Sequence, residues 1–236
     1  MSSEQRGRPA RGAVSAVLSV IGELLITVGL LLGLFVAYEL WWTNVQADRQ
    51  ASHEGSALRQ AWKAPAAAKP GALDTRGGIG FLHIPRFGKD WSVLIKRGTS
   101  TDVLNQGVAG YYTQPYPSAM PWDKKGNVTM AAHRDGHGAK FHQMAELRKG
   151  DKLVVETRDD WYVYTVANTK SPFSQYETGV IKPVPQWSGF TEPGRYITLT
   201  TCTPMYTSRY RMAVWGELTR IVPVNAQRTP PAELRQ

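Results

Sequence analysis

Three side chains stand where predicted strands end or are interrupted, and together they could transfer an acyl group. Cys202 ends the segment RYITLTTC and His133 ends NVTMAAH, each on the polar side of an alternating pattern. Arg211 interrupts the packable segment YRMAVWGEL, where a guanidinium needs an anion as its partner. A thiolate can attack a carbonyl carbon, an imidazole can carry a proton to the leaving amine, and a guanidinium can stabilise the oxyanion. These residue types therefore indicate covalent acyl transfer by a cysteine.

This chemistry requires no metal and no other cofactor, and we predict none. Cys202 is the single cysteine of the chain, which excludes an internal disulfide and a four-cysteine zinc site. His137 and His142 follow His133 closely, but glycines lie between them and we interpret them as surface histidines. A lone cysteine is often a small buried hydrophobe. Its role as a nucleophile therefore depends on the elements that position it.

Those elements are predicted to be short β-strands. From about residue 76 onward, β-branched and aromatic stretches are separated by Gly, Pro, Asp and Asn, and Asp159-Asp160 supplies the turn of a hairpin. Two short helices, at 101–106 and 140–147, are accessory. Seven or eight short strands indicate a barrel or a sandwich. The candidate strands are 80–85, 91–96, 127–133, 152–157, 161–167, 195–202 and 210–218.

An apolar segment at residues 13–42 predicts a transmembrane signal anchor. Residues 24–42 would span about 28 Å as a helix, close to the thickness of the hydrocarbon core of a bilayer. Three arginines precede the segment and Trp41-Trp42 closes it, which places residues 1–12 in the cytoplasm and everything after Trp42 outside. A cleaved signal peptide would have a shorter apolar region and a small-residue cleavage site. A buried core helix would have a polar stripe, which this segment lacks.

The rest of the chain reads as a tether, one folded domain and a tail. Residues 43–75 are rich in Ala, Ser, Gly and Pro and predict a linker; 76–225 form the extracellular domain; 226–236 are polar and Pro-rich and predict a flexible tail. The length of 236 residues excludes a large multidomain protein. The net charge of the chain is +9. The sequence contains no Arg/Lys run with interleaved aromatic residues, so we predict no binding of nucleic acid.

The strings TLTTCTP at 198–204, AAHR at 131–134 and YRMAVWGEL at 210–218 resemble the sortase family of cysteine transpeptidases, and most of all its class E members. The resemblance covers about residues 80–222 and implies an all-β fold, an eight-stranded sortase-type β-barrel with short accessory helices behind one transmembrane helix. It also implies cleavage of a C-terminal sorting signal of secreted proteins between Thr and Gly through a thioester. The acyl group would then pass to an amino group of a peptidoglycan precursor. Class E resemblance implies a Leu-Ala-x-Thr-Gly signal rather than Leu-Pro-x-Thr-Gly.

Carried over by position, the resemblance makes Cys202 the nucleophile, His133 the acid/base and Arg211 the oxyanion residue, in preference to Arg209. Thr201 falls where the family lines its substrate groove. Tyr111 and Tyr112 are predicted at the rim of that groove, and Tyr111 stands where many relatives carry His, so it is expected to alter the residue accepted after the leucine. Two other interpretations remain open: another wall-directed cysteine peptidase or L,D-transpeptidase, and an inactive tethered β-barrel binding module.

Overall fold

The computed structural model describes residues 10–63 and 78–235, and the chain divides after Trp42 into two compact units. The helix α1, Ala10–Lys63, begins in the first unit. There its large apolar side chains are exposed, with Leu25 and Leu34 each at 68%. Among the described residues, α1 is the one helix long and apolar enough to cross a membrane.

The second unit is built on a closed barrel of eight β-strands, which confirms the predicted fold class. The strands follow one another around the barrel in the order β1-β2-β3-β4-β7-β8-β6-β5, and β5 closes on β1. The pairs β2–β3 and β4–β7 are parallel, and the other pairs are antiparallel. The strands are β1 Gly80–His83, β2 Ser92–Arg97, β3 Ala109–Tyr111, β4 Gly126–Ala131, β5 Lys152–Glu156, β6 Asp160–Ser174, β7 Arg195–Thr203 and β8 Tyr210–Pro223.

The helical elements of this unit are short. The helix α2, Thr101–Leu104, lies between β2 and β3, where the sequence predicted a helix. The segment predicted as a helix at 140–147 contains a 3-10 turn instead, His142–Glu146. Further 3-10 turns are Pro85–Phe87, Thr178–Ile181 and Ala232–Leu234.

Strand β7 is covered on both faces, including the face that the sequence predicts to be polar. Ile197 and Leu199 point into the barrel interior and are fully buried. The opposite face carries Thr198 and Thr200, which are also buried, because a second apolar cluster around Trp215 covers that side of the sheet. The Thr198 hydroxyl donates to Asn127 Oδ1 at 2.9 Å. Hydrogen bonding lets these polar side chains be buried at low cost.

The predicted linker at 43–75 needs correction, because α1 continues as a helix to Lys63. Small and apolar side chains form a stripe along it that packs on the barrel, with Trp62 edge-on to Phe81 at 5.6 Å between ring centroids. The stripe recurs every three or four residues, as one face of a helix requires. Residues 64–77 lie outside the described residues. The stripe consists of Ala47, Ala51, Gly55, Leu58 and Trp62.

The predicted flexible tail also makes defined contacts. Arg228 donates to the Thr157 carbonyl at 2.8 Å and stacks its guanidinium 4.5 Å from the ring of Trp62. Glu233 pairs with Arg220 on β8. Within the described part of the tail, residues 226–235 therefore belong to the folded unit.

A buried carboxylate joins the helix, the barrel and the tail. Glu156 on β5 is 1% exposed and lies 2.9 Å from His83 Nε2, 3.0 Å from Arg59 on α1 and 3.0 Å from Arg228 in the tail. Burial alone would raise the pKa of Glu156, but the bond from His83 and the charge of Arg59 hold that pKa below its usual value. Glu156 is therefore charged in the folded protein near neutral pH.

Candidate active site

The barrel brings the three predicted catalytic residues to neighbouring strand ends. Cys202 on β7 is the direct cross-strand partner of Arg211 on β8, and directly opposed side chains of an antiparallel pair share a face. On the other side of β7, the parallel pairing with β4 continues past Ala131, since the Ala132 N–H donates to the Thr200 carbonyl at 3.4 Å. His133 follows at once and so lies beside the Cys202 end of β7. Cys202 itself is partly exposed.

The imidazole of His133 is held between two neighbours. Its Nε2 lies 2.8 Å from Asn105 Oδ1, and its ring centroid lies 5.5 Å from that of His137. Burial, and then the charge of His137, lower the pKa of His133 below its ordinary value. With the amide oxygen facing the ring, Nε2–H is the donor, which leaves Nδ1 as the basic nitrogen of the neutral imidazole.

Main-chain carbonyls orient the guanidinium of Arg211. Its Nη1 donates to Ser208 at 2.8 Å and to Tyr210 at 3.0 Å, and its Nη2 donates to Gln175 Oε1 at 3.2 Å. Among the described residues no carboxylate pairs with Arg211. Its positive charge and its remaining N–H donors can therefore meet an anion that forms beside Cys202.

The alternative arginine, Arg209, lies outside this arrangement. It precedes the first residue of β8, is exposed, and stacks its guanidinium 5.1 Å from the ring of Tyr210. The register pairs Cys202 with Arg211 and not with Arg209.

Tyr112 lies on the same side of the sheet as Cys202. Its hydroxyl lies 2.8 Å from Thr200 Oγ1, which in turn donates to the Met130 carbonyl at 3.2 Å, so Tyr112 is the donor to Thr200. Burial raises the pKa of Tyr112, the bond to Thr200 and the nearby charge of Arg211 lower it, and the nearby Cys202 raises it. Tyr112 is therefore a neutral hydroxyl next to the pair of Cys202 and Arg211.

Two predicted groove residues face the barrel interior instead. Thr201 lies on the face of β7 opposite to Cys202, is 3% exposed, and donates its hydroxyl to the Ala132 carbonyl at 2.8 Å. Tyr111 is 6% exposed and belongs to the interior core cluster. Successive side chains of a strand point to opposite faces, so both residues are one position out of phase with the site. Their predicted contacts with a substrate are corrected to packing roles.

Sequence reasoning gave no role to two further residues near the site. Asn105, the C-cap residue of α2, is the hydrogen-bond partner of His133, and nothing in its local sequence distinguishes it from an ordinary turn residue. Arg134 is 8% exposed, and its Nη1 donates to the Cys202 carbonyl at 3.3 Å and to Thr203 Oγ1 at 2.8 Å. Arg134 belongs to the AAHR string, so the sequence showed that it lies next to His133. Its contact with the Cys202 carbonyl could not be predicted from the sequence.

The other histidines near the site make local contacts. His142 lies 3.0 Å from the Arg134 carbonyl, and His137 has a left-handed backbone with φ 46°. In the part of the chain that the structure describes, no group of three or more His, Cys, Asp or Glu side chains could hold a metal ion.

Comparison with known proteins gives consistent matches over this region. The family described as Sortase domain matches residues 82–219. The curated protein Sortase SrtE2 of Streptomyces coelicolor is 52% identical over 236 residues, covering 98% of this chain and 92% of that protein. The crystal structure of sortase E1 from Streptomyces coelicolor with a tripeptide in the active site is 43% identical, with a TM-score of 0.63, and the match covers 66% of this chain and 96% of that one. Sortase E from Streptomyces avermitilis is 34% identical with a TM-score of 0.59, over 67% and 97% of the two chains.

Proposed function

Because the chain belongs to the sortase family of cysteine transpeptidases and is a class E sortase, we propose that it cleaves a Leu-Ala-x-Thr-Gly-like sorting signal of secreted proteins. The cut falls between Thr and Gly, and the acyl group passes to an amino group of a peptidoglycan precursor. The observation that carries the proposal is the cross-strand pair of Cys202 and Arg211 with His133 beside it. The tripeptide in the active site of the related sortase E1 supports a peptide substrate.

In the first half of the proposed reaction, the Cys202 thiolate attacks the carbonyl carbon of the substrate threonine. The carbonyl oxygen becomes an oxyanion, which the Arg211 guanidinium stabilises by its charge and free N–H donors. As the Thr–Gly bond breaks, protonated His133 gives its proton to the departing glycine amine. The product is a thioester between Cys202 and the threonine.

In the second half, the amine of the acceptor attacks the thioester carbon. His133, now neutral, takes a proton from that amine, the oxyanion forms again beside Arg211, and the carbon–sulfur bond breaks. The Cys202 thiolate is released, a new amide bond is formed, and His133 is protonated again. The cycle therefore balances without a cofactor.

The apolar part of α1 supports a proposal about location. We propose that residues 13–42 anchor the chain in the cell membrane as a single span, with the arginine-rich N-terminus in the cytoplasm and the catalytic domain outside. Such a placement would put the site on the same side of the membrane as secreted proteins and the cell wall.

The test is peptide cleavage by the full chain in detergent micelles. A fragment that starts at residue 76 would lose Arg59, and with it one partner of Glu156. Leu-Ala-x-Thr-Gly and Leu-Pro-x-Thr-Gly peptides are offered with triglycine as the acceptor. Thr–Gly scission by the unaltered chain, preferring the first peptide, is expected, and Cys202→Ala should reduce it by more than about 10³-fold.

A matched pair of variants tests the oxyanion role. Arg211→Ala should lower kcat by about 10²-fold or more, as loss of an oxyanion donor does, whereas Arg209→Ala should leave kcat within about twofold. Scission that survives Cys202→Ala, or equal effects of the two arginine variants, would contradict the mechanism. A binding module without turnover would bind the peptide and show no scission in any variant.

A further inference from the structure

We infer that the segment 43–50 of α1 is a positioning element for His133, which it holds in place through Asn44 and Asp48. The inference rests on the acid/base role proposed above for His133. The sequence suggested that this part of the chain was a tether. The inference instead gives it an indirect influence on the reacting imidazole, through the loop that carries His137.

The loop after His133 has a strained backbone. The four consecutive residues Gly136, His137, Gly138 and Ala139 all have positive φ, of 65°, 46°, 81° and 40°. Glycine adopts such a conformation freely, but His and Ala do so at a cost. Residues in such conformations persist where the surrounding structure fixes them, and they cluster at functional sites.

Two side chains of α1 fix this loop. Asn44 Oδ1 accepts a hydrogen bond from the Gly138 N–H at 2.7 Å, and Asp48 Oδ1 pairs with Lys140 Nζ at 2.7 Å. Between these anchor points and the active site stands His137, whose ring is one of the two neighbours of the His133 ring. Asn44 and Asp48 therefore help to fix where His137 stands relative to His133.

The same segment also packs close to the other neighbour of His133, Asn105. Ala47 is 3% exposed and packs so closely on Gly107 that a Cβ at position 107 would meet the Ala47 carbonyl carbon at 3.1 Å. Gly107 lies two residues after Asn105. A cavity of about 360 Å³ has α1 residues on one side and Asn105 and His137 on the other. The segment 43–50 thus borders both side chains between which His133 is held.

The charged and titratable groups around His133 come from several elements. His137 belongs to the loop after His133, Cys202 and Arg211 to β7 and β8, and Arg134 to the chain position directly after His133. From the helices, Asp102 of α2 lines the cavity beside His137, and Asp48 of α1 pairs with Lys140 in the loop. Release of the loop would move His137 away and admit water, and both changes would raise the pKa of His133.

The experiment compares three variants of the full chain in detergent. Asn44→Ala removes the acceptor of the Gly138 N–H, Asn44→Asp keeps an acceptor there, and Glu54→Gln weakens a different contact of α1 with the barrel, the 2.6 Å pair with Lys96. We expect Asn44→Ala to lower kcat for peptide cleavage about fivefold with KM unchanged, as loss of one hydrogen bond would. Asn44→Asp and Glu54→Gln should stay within about twofold.

A histidine titration by NMR, assigned with His133→Gln, gives a second measurement that needs no turnover. The pKa of His133 should rise in Asn44→Ala and stay unchanged in Glu54→Gln. An unchanged pKa and kcat in Asn44→Ala, or the same changes in Glu54→Gln, would overturn the inference. If the unaltered chain cleaved no peptide, the proposed function would fail, while the titration would still decide whether α1 positions His133.

Discussion

Replacing the buried carboxylate of Glu156 with an amide should destabilise the folded unit strongly. The Glu156→Gln variant keeps the shape of the side chain but removes the charge that His83, Arg59 and Arg228 face. Removing one partner of a buried ion pair typically costs about 3–5 kcal/mol. The side chains of Arg59 and Arg228 are 44% and 28% exposed, so water partly replaces the lost partner. We therefore expect a loss of about 2–3 kcal/mol in the free energy of unfolding.

The assay is thermal unfolding of the full chain in detergent, followed by near-UV circular dichroism. At about 2–4 °C per kcal/mol for a unit of this size, Tm should fall by about 4–12 °C at pH 7. Asp151→Asn is the matched control, because Asp151 pairs with Arg86 at the surface. That variant should lose less than about 1 kcal/mol.

The effect of Glu156→Gln on Tm should depend on pH in one direction. The pKa of Glu156 is lower in the folded than in the unfolded state, so its charge adds stability above the unfolded pKa, about 4.3, and the gain is lost as the pH falls through the folded pKa. The Tm difference between the parent and Glu156→Gln should be full above about pH 5 and should shrink below about pH 4. A difference under 2 °C at pH 7, or one that grows toward acid pH, would refute the reasoning.

Two tyrosine variants test the assignment of strand faces. Tyr111→His should lower the free energy of unfolding by about 3 kcal/mol, because it places a polar ring in the barrel core, and should leave the preference between Ala and Pro after the substrate leucine unchanged. Tyr111→Phe is its control in thermal unfolding. A changed preference with an unchanged Tm would contradict the buried position. Tyr112→Phe removes the 2.8 Å bond to Thr200 and should lower the free energy of unfolding by about 1 kcal/mol. An unchanged free energy in chemical unfolding, together with an unchanged Tm in thermal unfolding, would show that the bond adds nothing.

Seven of the eight strands could be predicted because each lies in a stretch rich in β-branched, aromatic or other apolar residues that turn residues separate from the next. Strand β3, Ala109–Tyr111, has three residues, too few to show a period, so the side to which Tyr111 points could not be read. Thr201 was assigned to a groove from the family resemblance alone, because it directly precedes Cys202. In the structure the Ala132 carbonyl accepts its hydroxyl inside the barrel, a contact between positions far apart in the sequence.

The helical continuation of α1 had a signal that hydropathy does not register. Ala47, Ala51 and Gly55 are too small to stand out as apolar residues, yet their helical spacing of three or four residues continues to Leu58 and Trp62. A search for small residues at helical spacing would have found this face. The clustering of Cys202, His133 and Arg211 was predictable from strand ends and motifs. Asn105, in contrast, becomes a neighbour of His133 only through the tertiary fold, 28 positions away in the sequence.

Closure of the barrel limits how a polypeptide can be recognised. Every strand that the structure describes has a strand neighbour on each side, so the sheet offers no full-length row of unpaired N–H and C=O groups as a template. Along the wall where both neighbours are paired, a peptide therefore cannot add as a further strand, a mode that would select a backbone and tolerate many side chains. Recognition by side chains and loops at the strand ends would discriminate by residue identity, and the closed wall protects the protein from edge-to-edge aggregation.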